Sequence, residues 1–336
     1  MRGLLCPRPR ELQIVERPEP AAAPKSAVLR LRRAGVCGTD LHIFEGTQPY
    51  FAYPRVIGHE LSGEIDEVGE GSTFKLGQQV AVIPYLACGV CVACRRGKPN
   101  CCQKLNVLGV HSDGGMADYL CVPDDNLIDA EGVSLDAAAM AEFLAIGAHA
   151  VRRGSVEAGQ RVLVVGAGPI GVACAIFARA RGAEVTALDT REDRLRFSSD
   201  AIGVDHVVVA DAGARESLGA LTQGDFYDVV FDCTGSPAAM NAGFAYVAHG
   251  GAYVLVSIVL GDITFVDPEF HKRETTLLGS RNATRADFDT VFAMLRAGKI
   301  PTDRLGTHRA PLNEAPAAFP HWLAPSSGVI KALIEI

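Results

Sequence analysis

Cys88, Cys91, Cys94 and Cys102 stand in the spacing C-x2-C-x2-C-x7-C. Thiolates at such intervals in one loop can close a tetrahedron around zinc, and with sulfur at all four positions the site is structural. A bacterial ferredoxin run also opens C-x2-C-x2-C, but continues with three residues, a cysteine and a proline. Here seven residues intervene and no proline follows, so zinc is the better fit. Cys101 adjoins Cys102, and spacing alone leaves the fourth ligand open between them; Cys102 is the expected one. A second set is more dispersed. Cys37, Thr39, Asp40 and His42 bring a thiol, a hydroxyl, a carboxylate and an imidazole into six residues, and Gly58-His59-Glu60 follows. Thiolate and imidazole, from Cys37 and His59, are a pair that suits zinc. Two ligands do not make a site. Glu142 is the candidate third, a lone acid in the apolar stretch from Ala141 to Gly147, where a buried carboxylate needs a partner. The structural alternatives are a buried free thiol at Cys37, a core histidine at His59 and a helix-capping glutamate at Glu142.

A third set reads as a cofactor site. Arg161–Gly171 is a short buried strand, Val162–Val165, running into Gly166, Gly168 and Gly171, with an apolar helical run from Val172 to Ala180 behind it. This is the G-x-G-x-x-G turn of a dinucleotide fold: a tight turn, then close approach of backbone to pyrophosphate, then close packing of helix on strand. The free N–H groups and dipole of the helix N-terminus complement phosphate. A second strand, Glu184–Leu188, ends at Asp189, where an acid accepts from the ribose hydroxyls and repels a 2′-phosphate, which favours NAD. Arg191 beside it leaves an opening for NADP.

These groups need elements to position them. The 336 residues allow two domains, and 48% hydrophobic with 21% charged residues is a soluble globular composition. The net charge of −7 gives nucleic acid or an anionic membrane no attraction, and no apolar run reads as a membrane span. The opening Met1–Leu12 has no long apolar core or small-residue cleavage site, so no signal peptide is read, and ten cysteines then argue for thiols and metal in a cytoplasmic setting. Short strands are expected at Gly3–Leu5, Leu12–Val15, Ala27–Ala34, Val110–Gly115 and Met116–Val122. Residues 135–153 read as helix. After the glycine turn, helices at Glu192–Ile202, Ala214–Leu221 and Pro237–Ala248 alternate with strands at Val207–Val209, Asp228–Asp232, Tyr253–Ser257 and Thr275–Gly279. Six strands mostly separated by helices predict an α/β, doubly wound parallel sheet. Asp287–Ala297 reads as helix, and the tail as Pro-rich loops with a last strand, Val329–Ile336.

Cys37-Gly38-Thr39-Asp40-x-His42, Gly58-His59-Glu60, the four-cysteine loop and Gly166–Gly171, in this order, resemble the zinc-dependent medium-chain alcohol and polyol dehydrogenases over essentially the full length. The resemblance implies a GroES-like β-rich catalytic domain, residues 1–147 and 283–336, with an NAD-binding Rossmann domain, 148–282, inserted. It implies two zinc ions per chain: a catalytic one held by Cys37, His59 and Glu142, with Glu60 as ligand or support, and a structural one in the cysteine lobe. Asp40 would orient His59. Thr39 and His42 would relay a proton, the alternatives being a helix-capping threonine and a solvated histidine. NAD would be met by Gly166, Gly168, Pro169, Ile170, Gly171, Asp189, Arg194 and Thr234. The stretch from Glu142 to Arg153, with Phe143 where proline is usual, and Gly279–Thr284 resemble the bacterial branch that oxidises sugar acids such as L-galactonate or L-gulonate. Arg281 and Asn282 would then meet substrate, Arg281 gripping its carboxylate or else touching NAD or an acid. Sorbitol-type and L-threonine 3-dehydrogenases fit the motifs too, and a zinc-binding interaction module is the non-enzymatic reading. A small-molecule substrate and a homo-oligomer, dimer or tetramer, complete the expectation.

Overall fold

The computed structural model describes residues 1–336, the side chain of Pro325 excepted. The chain divides into two compact units, Met1–Phe143 with Thr284–Ile336, and Leu144–Ala283.

In the first unit the long strand Ser26–Val36 is the centre of a seven-stranded sheet. It pairs antiparallel with Glu60–Val68, Tyr119–Pro123 and Lys331–Glu335. Both its faces are largely covered, which is why Ala27–Ala34 is so apolar. A three-stranded sheet of Arg2–Arg8, Glu11–Glu16 and Arg55–Val56 adjoins it in sequence. This is the β-rich, GroES-like half.

Val110–Gly115 is not a strand: it is a loop with one isolated bridge, Leu108 to Ser112. Its backbone is spent on the Gly58 turn instead. Gly114 donates to Val56 O at 2.7 Å, and Gly115 donates to Gly58 O at 2.9 Å. Gly58 has φ +99°, and a Cβ there would meet the Met116 backbone nitrogen at 2.9 Å, so only glycine fits. The tail also differs from its Pro-rich-loop reading. Gly306–Pro311 is a strand, and Ala315–Leu323 is a helix despite Pro320 inside it. Ala315, Phe319 and Trp322 bury one face of that helix, and Phe319 packs edge-on to Phe44 at 6.0 Å. Burial there outweighs a broken helix bond.

The second unit carries a six-stranded, all-parallel sheet. Its strands in chain order are Arg161–Val165, Glu184–Asp189, His206–Val209, Tyr227–Asp232, Val247–Leu255 and Thr276–Gly279. In space they run third, second, first, fourth, fifth, sixth. The order therefore reverses between the first and fourth strands, the place where doubly wound sheets open a ligand crevice at their carboxyl ends. Glu192–Ile202 is an α-helix only to Phe197 and then a π-helical turn. The helix expected over Pro237–Ala248 stops at Gly243, because the fifth strand begins at Val247. Among the described residues no helix is long and apolar enough to cross a membrane.

Candidate active site and metal centres

Cys37 ends the long strand and caps the helix Gly38–Glu45. The fully buried Asp40 ties this turn to the next segment. Its Oδ2 accepts from Cys37 N at 2.9 Å and its Oδ1 from Gly58 N at 3.2 Å. The same Oδ1 lies 3.8 Å from His59 Nδ1. One carboxylate thus ties the thiol-bearing turn to the Gly58 turn and faces the imidazole, whose Nδ1 is buried with no hydrogen-bond partner among the described residues. Burial raises the Asp40 pKa, and His59 opposes the shift. Burial works to lower the His59 pKa, but the charges of Asp40 and Cys37 outweigh it and hold the imidazole well above its usual range.

Donor atoms of Cys37, His59 and Glu60 lie within 4.8 Å of one another. Glu142, near the start of the helix Ala141–Arg153, stands outside that tight group but is buried close enough to act electrostatically on His59. Its Oε1 accepts a short hydrogen bond from the Tyr85 hydroxyl, while Oε2 is buried with no partner among the described residues. Burial raises the Glu142 pKa. A thiolate, an imidazole and an unpartnered buried carboxylate oxygen are a donor set that fits zinc. Glu60 is held from the other side: Lys331 Nζ donates to its two oxygens at 2.6 and 2.7 Å and to Val36 O at 3.1 Å. The ammonium sits 4.5 Å from the centre of the Phe143 ring. So Phe143, where the resemblance leads one to expect proline, floors the Lys331–Glu60 pair from within a regular helix. Thr39 and His42 are one turn apart on the first helix. His42 is exposed, and its Nδ1 meets Thr47 Oγ1 at 3.1 Å.

The sulfur atoms of Cys88, Cys91, Cys94 and Cys102 also lie within 4.8 Å of one another, while Cys101 is exposed. Cys91 Sγ is 3.5 Å from Cys94 Sγ and 3.9 Å from Cys102 Sγ. A zinc–sulfur bond of about 2.3 Å gives a tetrahedral edge of about 3.8 Å, so the four thiols fit zinc. Backbone N–H groups of Cys88 and Lys104 donate to Cys102 Sγ at 3.2 and 3.3 Å. Backbone donors lower the Cys91 pKa, and desolvation raises that of Cys94. Replacing Cys94 by serine is expected to remove one zinc equivalent and lower Tm by roughly 5–10 °C. Metal analysis with a thermal melt checks it; unchanged zinc and Tm would rule out a structural metal here.

In the second unit Gly166 turns at φ +92°. A Cβ on Gly171 would stand 1.8 Å from Gly166 O, so strand and helix can meet this closely only through glycine. Gly168 precedes Pro169 and Ile170 at the N-terminus of the helix Pro169–Ala180. Asp189 Oδ2 accepts from Ala167 N at 2.7 Å. Thr234 follows the fourth strand, abuts Gly166, and donates through Oγ1 to Asp232 at 2.8 Å. Arg194 lies over Gly168. All of these stand at the carboxyl end of the sheet, a cradle with the shape and free donors for a dinucleotide pyrophosphate.

The family model for the alcohol dehydrogenase GroES-like domain matches residues 23–132, and the zinc-binding dehydrogenase model matches residues 169–297. A pyridine nucleotide-disulphide oxidoreductase model matches residues 122–205, which include the glycine turn. The chain is 43% identical to L-galactonate-5-dehydrogenase of Escherichia coli K12 over 99% of its own length and 98% of the relative's. The chain belongs to the zinc-type medium-chain alcohol dehydrogenases. Sorbitol dehydrogenase of Halalkalibacterium halodurans is 32% identical over 96% of this chain and 94% of that one. A short chain alcohol dehydrogenase (rspB) of Escherichia coli CFT073, complexed with cofactor NADH, superposes with a TM-score of 0.94 at 30% identity, covering 100% of this chain and 99% of that one.

Two residues of this dehydrogenase's site escaped the sequence reading, Lys331 and Tyr85. Lys331 carried a signal, a lone cation in the apolar strand Lys331–Glu335; Tyr85 carried none. Arg281 and Asn282 follow the last strand of the sheet, at the same carboxyl end as the glycine turn. Asn282 has φ +51°, and its Nδ2, like Ser280 Oγ, is buried with no partner among the described residues.

Proposed function

We propose that this dehydrogenase oxidises a secondary alcohol of an aldonate, of the L-galactonate or L-gulonate kind, with NAD. The observation that carries the reading is the 43% identity to an L-galactonate-5-dehydrogenase, against 32% to a sorbitol dehydrogenase and 32% to an L-threonine 3-dehydrogenase of Bacillus licheniformis. A 2-dehydro-3-deoxy-L-galactonate 5-dehydrogenase of Pseudoalteromonas atlantica, also 32% identical, adds a second sugar-acid relative.

Bound zinc supplies Lewis acidity toward an alcohol oxygen, and bound NAD accepts the hydride from the carbon that carries it. Cys37 and His59 would hold the metal; Glu60 is the nearer carboxylate but both its oxygens are taken by Lys331, whereas Glu142 keeps Oε2 free to join them. Asp40, 3.8 Å from His59 Nδ1, would favour a proton on that nitrogen electrostatically and so support Nε2 as the metal-facing one. Thr39 and His42 share one helix face, so the hydroxyl can receive the substrate proton and the exposed imidazole can pass it to water. Gly166, Gly168, Pro169, Ile170 and Gly171 cradle the pyrophosphate, Asp189 accepts from the ribose, and Arg194 and Thr234 flank it. Arg281 meets the substrate carboxylate, and Asn282 with Ser280 offers buried donors beside it.

Initial rates of NAD reduction on L-galactonate, L-gulonate, sorbitol and L-threonine, with and without chelator, test this. Chelator-sensitive turnover on an aldonate is expected. Arg281→Ala should then raise the aldonate KM about tenfold and leave kcat nearly unchanged. Turnover on sorbitol or threonine alone would replace the aldonate reading, and an unchanged KM would remove Arg281 from it. The same reading carries a dimer or tetramer, which sedimentation reads directly.

A further inference from the structure

The ribose end of the cofactor site holds more charge than one carboxylate. Asp189 Oδ1 accepts from Arg191 N at 2.8 Å, so the chain folds back immediately after the acid. Two guanidinium groups follow. Arg194 lies across the glycine turn, where a Cβ on Gly168 would meet its Nη1 at 2.6 Å. Burial lowers the Arg194 pKa, and the like charge of Arg191 lowers it further, so the two cations stand near each other beside Asp189. Arg191 is not idle. Its Nε and Nη2 reach the two oxygens of Asp193 at 3.1 and 2.5 Å, a fork-to-fork pair.

That pairing bears on which dinucleotide the site takes. A 2′-hydroxyl donates to Asp189, whereas a 2′-phosphate brings about two negative charges against it. A guanidinium beside such an acid can reverse the preference, because its planar fork matches phosphate as well as carboxylate. Arg191 is placed to do so, but the Nε–Nη2 edge of its fork is already filled and its charge offset by Asp193. To use that edge a phosphate has to displace Asp193, and at the remaining Nη1 side it still sits near the carboxylates of Asp189 and Asp193. Both partners are partly exposed, with side chains 29% and 48% accessible, so one substitution can release the arginine without opening the core.

We propose that Asp193 is a specificity-determining residue: by occupying the fork of Arg191 it withholds that cation from a 2′-phosphate and, with Asp189, sets NAD above NADP. The inference rests on reading the glycine turn as the dinucleotide site. The test is equilibrium titration of the zinc-loaded enzyme with NADH and with NADPH, followed by nicotinamide fluorescence. In the unaltered chain NADH is the tighter ligand. Asp193→Asn should lower the ratio of the NADPH Kd to the NADH Kd about tenfold. Adding Arg191→Ala to that variant should return the ratio to its starting value. An unchanged ratio in Asp193→Asn overturns the proposal. A lowered ratio that survives Arg191→Ala also overturns it, because the gain then comes from the lost negative charge and not from the freed arginine. If the unaltered chain binds neither dinucleotide, the cofactor-site reading itself fails, which is a separate result from either of these.

Discussion

Replacing Cys37 by serine is expected to halve the zinc content, from two equivalents per chain to one, and to cut kcat on the preferred alcohol by about a thousandfold or more. The hydroxyl is a poor zinc ligand at neutral pH, and two remaining donors hold the ion weakly. Losing Lewis-acid help at the reacting oxygen removes several kcal/mol of transition-state stabilisation, and ~4 kcal/mol is about a thousandfold. The fold should survive, because Cys37 N keeps its bond to the Asp40 carboxylate and that bond does not use the thiol. Metal analysis, a thermal melt and initial rates on one preparation give the answer. Retention of two zinc ions, or a rate within tenfold of the parent, would remove Cys37 from the metal site.

Lys331→Met is the second large effect, this time on stability. The Lys331 and Glu60 side chains are 1% and 0% exposed, and the ammonium holds both carboxylate oxygens. Glu60 also lies across its strand partner Gly35, where a Cβ would stand 2.1 Å from its Oε2, so the carboxylate fills the space that the glycine leaves open. Removing the lysine leaves a buried charge without a partner, a loss of about 3–5 kcal/mol in denaturant titrations run with chelator present. Lys331→Met combined with Glu60→Leu should recover most of the stability, since a buried ion pair is often no better than apolar residues of similar volume. It should not recover turnover. A single-variant loss below about 1 kcal/mol would mean that Glu60 has other support.

The ligand types and their spacing were legible in the sequence because they are local. Four thiols within fifteen positions can reach one ion in almost any loop, and the structure does gather Cys88, Cys91, Cys94 and Cys102. Strand, glycine turn, helix and terminal acid likewise sit within one short unit, and hydrophobic period with glycine placement determines it. Cys37 and His59 were legible as a pair suited to zinc, but what brings them together was not: it depends on Asp40 bonding two segments at once and on Gly58 turning where Gly114 and Gly115 pack. Tertiary structure alone decided the surroundings. Lys331 reaches Glu60 across 271 positions, and Tyr85 reaches Glu142 across 57. It also turned Val110–Gly115 into a loop and a Pro-containing tail into a helix. In each case backbone bonds or burial supplied by distant residues outweighed local propensity, and no window of sequence contains those partners.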